Sequence, residues 1–194
     1  DTCYKGLTAV ARVSRWDQQV SGDNYSFLEL ESGELLMVLA DGMGYGGEAE
    51  RDSGSLIETL EHLLEAGFEK QTAWRLLNTL LVAEYEGESF TTLDMVSVDL
   101  YTGWCQFIKS GAAAAYLYRD GQLSQLSRDH DLLQDWMPDI LEGKRSMAEA
   151  LRDPNGRKLT SFIGMGELRH VDYNRTPIPL LPGDRVLLMS DGVY

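Results

Sequence analysis

Apolar residues along this chain follow two different spacings, which predict strands and helices in separate blocks. Apolar positions that alternate with polar ones, or that form short continuous runs, predict strands. Apolar positions three and four residues apart predict two amphipathic helices, over 48–66 and 72–83. The predicted strands cover residues 6–13, 24–30, 35–40, 96–100, 104–109, 114–119, 122–126 and 186–189. Turn residues at 31–34 and at Asp120-Gly121 predict two hairpins.

The order of these elements indicates the fold class. Strands occur in consecutive groups and the two long helices occur together, which favours an α+β fold over an alternating parallel α/β fold. The two helices can cover one sheet. A polar insert over 128–158, with short helices predicted near 132–141 and 146–151, can cover another. We therefore expect a layered sandwich in one domain, for which 194 residues with 43% hydrophobic content are sufficient.

Two of the predicted strands share the same ending. The apolar run 35–40 is followed by Asp41-Gly42, and the run 186–190 is followed by Asp191-Gly192. A carboxylate at the end of a buried strand is costly unless it is paired or binds a metal, and neither aspartate has an adjacent Lys or Arg. Because Mg²⁺ and Mn²⁺ prefer oxygen ligands, these two aspartates are candidate ligands, with Asp23 as a third. The alternative is that each Asp-Gly pair only closes a turn.

Composition narrows the range of partners. The net charge is −14, from 31 acidic and 17 basic residues, and no run of Lys or Arg occurs, so nucleic acid is not an expected partner. The glycine-rich segment 41–47 lacks the lysine and the spacing of nucleotide-binding loops. The longest purely apolar run is too short to cross a bilayer, so we expect no membrane segment in this chain, while an upstream one stays open. We expect a cytoplasmic location and a buried, reduced Cys105.

Four segments carry motifs in a fixed order. Residues 41–49 contain Asp-Gly-Met-Gly followed by Gly-Glu-Ala, and residues 116–130 contain a hairpin and then Asp-His. Residues 146–164 contain Leu-Thr before Ile-Gly, and residues 182–192 run from Pro-Gly-Asp to Ser-Asp-Gly. In this order, these motifs resemble the metal-dependent (PPM, or PP2C-type) family of protein serine/threonine phosphatases.

The resemblance implies a fold, a site and a reaction. The fold would be a four-layer αββα sandwich, with two antiparallel sheets flanked by helices. Asp41 would bridge two Mn²⁺ or Mg²⁺ ions, the Gly42 carbonyl would bind one and Asp191 the other, and Asp23 would hold a metal-bound water. The three aspartates would thus be the catalytic residues. The implied reaction is metal-dependent hydrolysis of phosphoserine or phosphothreonine in regulatory proteins by a metal-activated water.

The sequence resembles two branches of the family, each in a different segment. Residues 21–23 and 92–94 are more similar to the bacterial SpoIIE type of sporulation and stress-response phosphatases. The Asp-His and flap region is more similar to the general bacterial branch. The phosphorylated substrate would be an anti-sigma-factor antagonist in the first branch and a target of Ser/Thr kinases in the second.

The alternative hypothesis is a catalytically degenerate module that binds a phosphoprotein or another partner. It is supported by the absence of the family's phosphate-binding arginine, where the sequence reads Gln18-Gln19-Val20, and of the histidine in the first motif. Arg12 or Arg15 are candidate replacements for the arginine. The resemblance also implies a last metal aspartate in a strand beyond Ser-Asp-Gly, and this sequence does not contain it. We therefore expect residues 1–194 to form a single domain that is truncated at its C-terminal end.

Two polar residues outside the first motif also have candidate roles. Asp94 is either a remote metal ligand or a strand-end cap, and we expect the cap. His130, which follows Asp129 in the family pattern, is expected to give structural support.

Overall fold

The secondary structure comes from a computed structural model, which describes residues 2–13, 22–42, 47–85, 90–111, 113–168 and 171–193. The strands are β1 (Asp23–Glu29), β2 (Glu34–Gly42), β3 (Thr91–Asp99), β4 (Trp104–Ser110), β5 (Ala114–Arg119), β6 (Gln122–Gln125), β7 (Asp172–Tyr173), β8 (Ile178–Pro179) and β9 (Arg185–Met189). The helices are α1 (Gly47–Glu65), α2 (Lys70–Tyr85), α3 (Leu132–Asp135), α4 (Met137–Leu141) and α5 (Met147–Arg152), and a short 3₁₀ helix covers Asp191–Val193.

The strands form two antiparallel sheets. The larger sheet has the order β1-β2-β3-β4-β7, and β8 also pairs with β4. The smaller sheet has the order β6-β5-β9. The chain passes from the larger sheet to the smaller one between β4 and β5. The prediction of an α+β fold with two antiparallel sheets and flanking helices is therefore confirmed.

The larger sheet packs on both of its faces. Helices α1 and α2 cover one face, where Leu36, Leu60, Trp74 and Met95 belong to one buried cluster. The other face packs against the smaller sheet through a second cluster, which contains buried residues of β3, β4 and β5. Because side chains alternate between the faces of a strand, a set of polar residues shares this inter-sheet face with that second cluster. They are Asp23, Asp41, Thr92, Asp94 and Lys109.

The helices agree well with the predicted spans. Helix α1 ends shortly before Gly67, whose φ of 86° lies in the left-handed region that favours glycine. The hairpin between β5 and β6 has positive φ at Asp120 and Gly121, as the turn prediction requires. In the described part of the chain, no helix is long and apolar enough to cross a membrane.

The strands depart from the predictions in four respects. Residues 6–13 form no strand, and Leu7 is fully exposed. Strand β2 is not buried equally on both faces, because alternate residues are buried under the helices and the others are half-buried between the sheets. Residues 186–189 of β9 are only half-buried, because β9 ends the order of the smaller sheet. The two-residue strands β7 and β8 were not predicted.

Candidate active site

Asp23 and Asp41 lie opposite each other at one edge of the larger sheet. β1 begins at Asp23, β2 ends at Gly42, and the antiparallel register pairs Asp23 with Asp41. Directly opposed residues in antiparallel strands point to the same face and lie within reach of each other. Two carboxylates that are separated by 18 residues in the sequence (41 − 23) are thus brought together by the hairpin.

The backbone around Asp41 is fixed by neighbouring strands. The Asp41 N–H donates a hydrogen bond to the Thr92 hydroxyl on β3 at 3.3 Å. The Gly42 N–H donates to the Gly22 carbonyl at 3.2 Å. A Cβ at position 42 would lie 2.2 Å from the carbonyl oxygen of Ala49, so only glycine lets α1 approach this closely.

Asp191 reaches the same place from the smaller sheet. β9 ends at Met189, and Asp191 starts the short 3₁₀ helix that follows. The Ser190 hydroxyl donates a hydrogen bond to Asp23 Oδ2 at 3.2 Å, which links the end of β9 to the start of β1. The negative charge of Asp191 also acts on Asp41, as the pKa of Asp41 shows. The three aspartates predicted from the sequence therefore come together.

Negative charge is concentrated in this partly buried cluster. The pKa of Asp41 is raised from its usual 3.8 to about 7, mainly by burial and in addition by the negative charges of Asp23 and Asp191 and a hydrogen bond with Asp23. The Asp41 carboxyl is therefore protonated more readily than an ordinary aspartate. A bound cation would offset the repulsion between the carboxylates, as protonation of Asp41 does.

The donor groups fit a hard cation. Three carboxylates and the Gly42 carbonyl offer only oxygen, which is the ligand type that Mg²⁺ and Mn²⁺ prefer. Over the described ranges, no three His, Cys, Asp or Glu side chains are grouped closely enough to hold a single ion by themselves. Waters and backbone carbonyls would therefore have to complete the coordination, as is usual for Mg²⁺.

Asp94 is the residue for which the expected role was wrong. It lies in the middle of β3 rather than at a strand end, and it is buried with only 1% exposure. The register places it opposite Lys109 of β4, whose Nζ lies 3.9 Å from Asp94 Oδ1. Burial raises the pKa of Asp94 to about 7, although Lys109 lowers it. Asp94 is therefore one partner of a buried ion pair, on the same face of the larger sheet as Asp23 and Asp41.

The remaining predicted residues lie around the cluster or outside the described ranges. His130 supports the backbone as expected, because its Nδ1 accepts a hydrogen bond from the Gly111 N–H at 3.4 Å. Arg12 forms an ion pair with Glu50 at 3.9 Å. Arg15, the segment 18–20, and residues 43–46 of the first motif lie outside the described residues.

Three contributors were missed in the sequence: Thr92, Lys109 and Ser190. Thr92 and Ser190 belong to motifs that the sequence shows, but nothing in those motifs indicates that their hydroxyls support the aspartates. Lys109 did carry a signal, because a lysine directly after the apolar pair Phe107-Ile108 is unusual in a buried strand.

The fold is similar to solved serine/threonine phosphatases. A serine/threonine phosphatase from S. agalactiae superposes with a TM-score of 0.75 at 20% identity, covering 96% of this chain and 78% of that one. The phosphatase domain of the cell fate determinant SpoIIE from Bacillus subtilis superposes with a TM-score of 0.61 at 25% identity, covering 100% of this chain and 69% of that one. The class of fold is therefore that of the PPM phosphatases, as the motifs suggested.

Sequence comparison then identifies the family. Stage II sporulation protein E of Bacillus subtilis (strain 168) is 26% identical over 191 residues, which cover 98% of this chain and 19% of that protein. This chain thus spans about a fifth of the length of that relative. The family model of Stage II sporulation protein E (SpoIIE) matches residues 31–133, just over half of the chain. This chain belongs to the SpoIIE family, the branch that residues 21–23 and 92–94 resemble.

Proposed function

We propose that this chain is a phosphatase domain that hydrolyses phosphoserine or phosphothreonine in regulatory proteins in a metal-dependent reaction. The observation that carries the proposal is the convergence of Asp23, Asp41 and Asp191 from two different sheets. Membership of the SpoIIE family and the likeness to a solved SpoIIE phosphatase domain support the reaction class.

The three aspartates and the Gly42 carbonyl are the groups that would hold two Mn²⁺ or Mg²⁺ ions. When bound, these ions would lower the pKa of a water that attacks phosphorus and would neutralise the phosphoryl oxygens. Asp41, whose pKa is raised, would have to be deprotonated to bind a cation.

The protein's own contribution is to hold these groups with little freedom. Asp23 and Asp41 sit on paired strands, and the hydroxyls of Thr92 and Ser190 fix the Asp41 backbone and the Asp23 carboxylate. Ligands that are mounted on strands and held by a second layer of hydrogen bonds need little reorganisation when substrate binds. Asp191, which is exposed, would face the substrate side of the site.

The substrate would be a phosphorylated protein. Family membership favours a phosphorylated anti-sigma-factor antagonist, with targets of Ser/Thr kinases as the second class. Such regulatory proteins would place the reaction in the cytoplasm. The alternative, a degenerate module that only binds a phosphoprotein, gives no reason for three carboxylates to converge where their repulsion raises the pKa of Asp41.

The test is hydrolysis of p-nitrophenyl phosphate and of a phosphothreonine peptide by the full-length protein, with Mn²⁺ and with EDTA. We expect activity that requires Mn²⁺, is lost in EDTA, and is lost in Asp41→Asn. The matched control is Asp120→Asn, which removes the same charge at an exposed hairpin position with φ of 51°, a conformation that asparagine adopts readily. Activity that persists in EDTA or in Asp41→Asn would contradict the proposal.

A further inference from the structure

The connection between β4 and β5 is the place where the two halves of the site are joined. β4 belongs to the sheet that carries Asp23 and Asp41, and β5 pairs with β9, which leads to Asp191. The connection is short, and its described residues are Gly111 and Ala113. Its geometry therefore sets how the two sheets are placed relative to each other at this end.

A buried lysine holds one end of this connection. Lys109, with 2% exposure, donates a hydrogen bond from Nζ to the Ala113 carbonyl at 2.5 Å. Its distance to the nearest Asp94 oxygen is longer, 3.9 Å. Asp94 itself lies close enough to the Ala113 backbone for that group to lower its pKa, but neither Asp94 oxygen has a hydrogen bond of normal geometry in the described part of the chain. A lysine buried only for an ion pair would be expected to bond to the carboxylate directly. The closest partner of Lys109 is instead the backbone of the connection.

On the side of the larger sheet, the connection touches the residue that supports Asp41. A Cβ at position 111 would lie 2.4 Å from Thr92 Cβ, so Gly111 packs directly on Thr92. The Thr92 hydroxyl in turn accepts the Asp41 N–H. The buried His130 also holds Gly111. The Gly111 N–H donates to His130 Nδ1 and the His130 N–H donates to the Gly111 carbonyl, each at 3.4 Å.

On the side of the smaller sheet, the connection leads directly to the strand that delivers Asp191. Ala114, the residue after Ala113, pairs with Met189, and Ser190 and Asp191 follow Met189. A shift of Ala113 would thus move the end of β9 and the Ser190 hydroxyl that donates to Asp23.

We propose that Lys109 is a positioning residue that sets the separation between the Asp23–Asp41 pair and Asp191, by holding the Ala113 carbonyl where the chain crosses from one sheet to the other. Asp94 compensates the buried charge of Lys109. This inference rests on the proposed function, because it assigns the three aspartates to one metal site.

The test separates the bond to Ala113 from the ion pair. Lys109→Met removes both, whereas Asp94→Asn keeps the donor to Ala113 and removes the carboxylate charge. The double variant Asp94→Asn/Lys109→Met removes both charges of the buried ion pair, so its melting temperature should recover relative to Lys109→Met. Phe107→Leu, on the same strand and the same face, is the control for a general loss of packing.

Mn²⁺ binding to the metal-free full-length protein is measured by calorimetry beside turnover. We expect Lys109→Met and the double variant to bind Mn²⁺ about 10- to 100-fold more weakly, as is typical when a group behind metal ligands is lost. We expect Asp94→Asn and Phe107→Leu to stay close to the unmutated protein. Mn²⁺ affinity that recovers in the double variant together with its melting temperature would overturn the proposal and leave Lys109 as an ion-pair partner only.

Hydrogen exchange supplies a measurement that needs neither metal nor substrate. Amides of residues 113–117 and 186–191 should exchange faster in both variants that lack Lys109, and not in Asp94→Asn. Unchanged exchange in those segments would also overturn the proposal. A failure of the proposed function is recognised separately, because the unmutated protein itself would then show no Mn²⁺-dependent hydrolysis.

Discussion

Gly42→Ala tests whether the end of β2 and the start of α1 are as close as the structure places them. The added Cβ would lie 2.2 Å from the Ala49 carbonyl oxygen and 2.8 Å from its carbon, whereas ordinary contacts begin at 3.4 Å. The atoms in the way belong to backbone, so α1 or the end of β2 has to move by about 1 Å.

The expected cost of Gly42→Ala follows from that displacement. Overpacking of this kind costs about 1–3 kcal/mol of unfolding free energy. For a domain of this size, that lowers the melting temperature by roughly 2–4 °C per kcal/mol. Because Asp41 is the adjacent residue, a misplacement of about 1 Å should also lower turnover by up to about 100-fold.

Thermal unfolding and hydrolysis of p-nitrophenyl phosphate measure the two effects. Gly47→Ala is the matched control, because a Cβ there meets no atom within 4 Å, and it should change stability by less than about 0.5 kcal/mol. If Gly42→Ala had the melting temperature and the turnover of the unmutated protein, the close packing behind Asp41 would be disproved.

Three further predictions concern pH and packing. The folded-state pKa values of Asp41 and Asp94 lie near 7, above the usual 3.8, so the metal-free fold is favoured by their protonated forms. Its melting temperature should therefore fall as pH rises from about 4 to above 7, and Asp94→Asn should reduce that fall. Asn78→Ala removes both side-chain hydrogen bonds to the backbone of 164–165 and should lower the free energy of unfolding in urea by about 1–3 kcal/mol. Equal urea midpoints for Asn78→Ala and the unmutated protein would contradict this prediction. Leu60→Ala, at a fully buried position, should cost about 2–5 kcal/mol, and a loss below 1 kcal/mol in the same assay would mean that α1 does not pack as described.

The site carboxylates could be found from the sequence because each depends on a local pattern. Asp41 and Asp191 follow apolar runs, and a run of that kind predicts both a strand and the place where it ends. The two long helices were predictable for a similar reason, since spacing alone defines their buried side.

The supporting residues could not be predicted, because their roles depend on register and on contacts between distant segments. Asp94 faces Lys109 only because β3 starts at Thr91, several residues earlier than the alternation at 96–100 suggests. Similarly, Ser190 becomes a partner of Asp23 only when the two sheets pack together. The spacing of apolar residues within one segment predicts neither the pairing of Asp94 with Lys109 nor the contact of Ser190 with Asp23.

Burial of the strands was overestimated for the same reason. An apolar run does not say whether its strand has neighbours on both sides. β9 ends the order of its sheet, so residues 186–189 are half-buried. Residues 6–13 alternate like a strand but pair with no other strand among the described residues.

The distance in sequence between the site residues has a consequence for folding. Asp41 and Asp191 are 150 residues apart (191 − 41), and they meet only when β9 docks beside β5 and the two sheets close. Without a cation, that final step brings like charges together, so electrostatic repulsion opposes it. A ligand that binds only the completed cluster stabilises the whole domain by mass action. Divalent cations should therefore act late in folding, and the fully folded population should depend on their concentration.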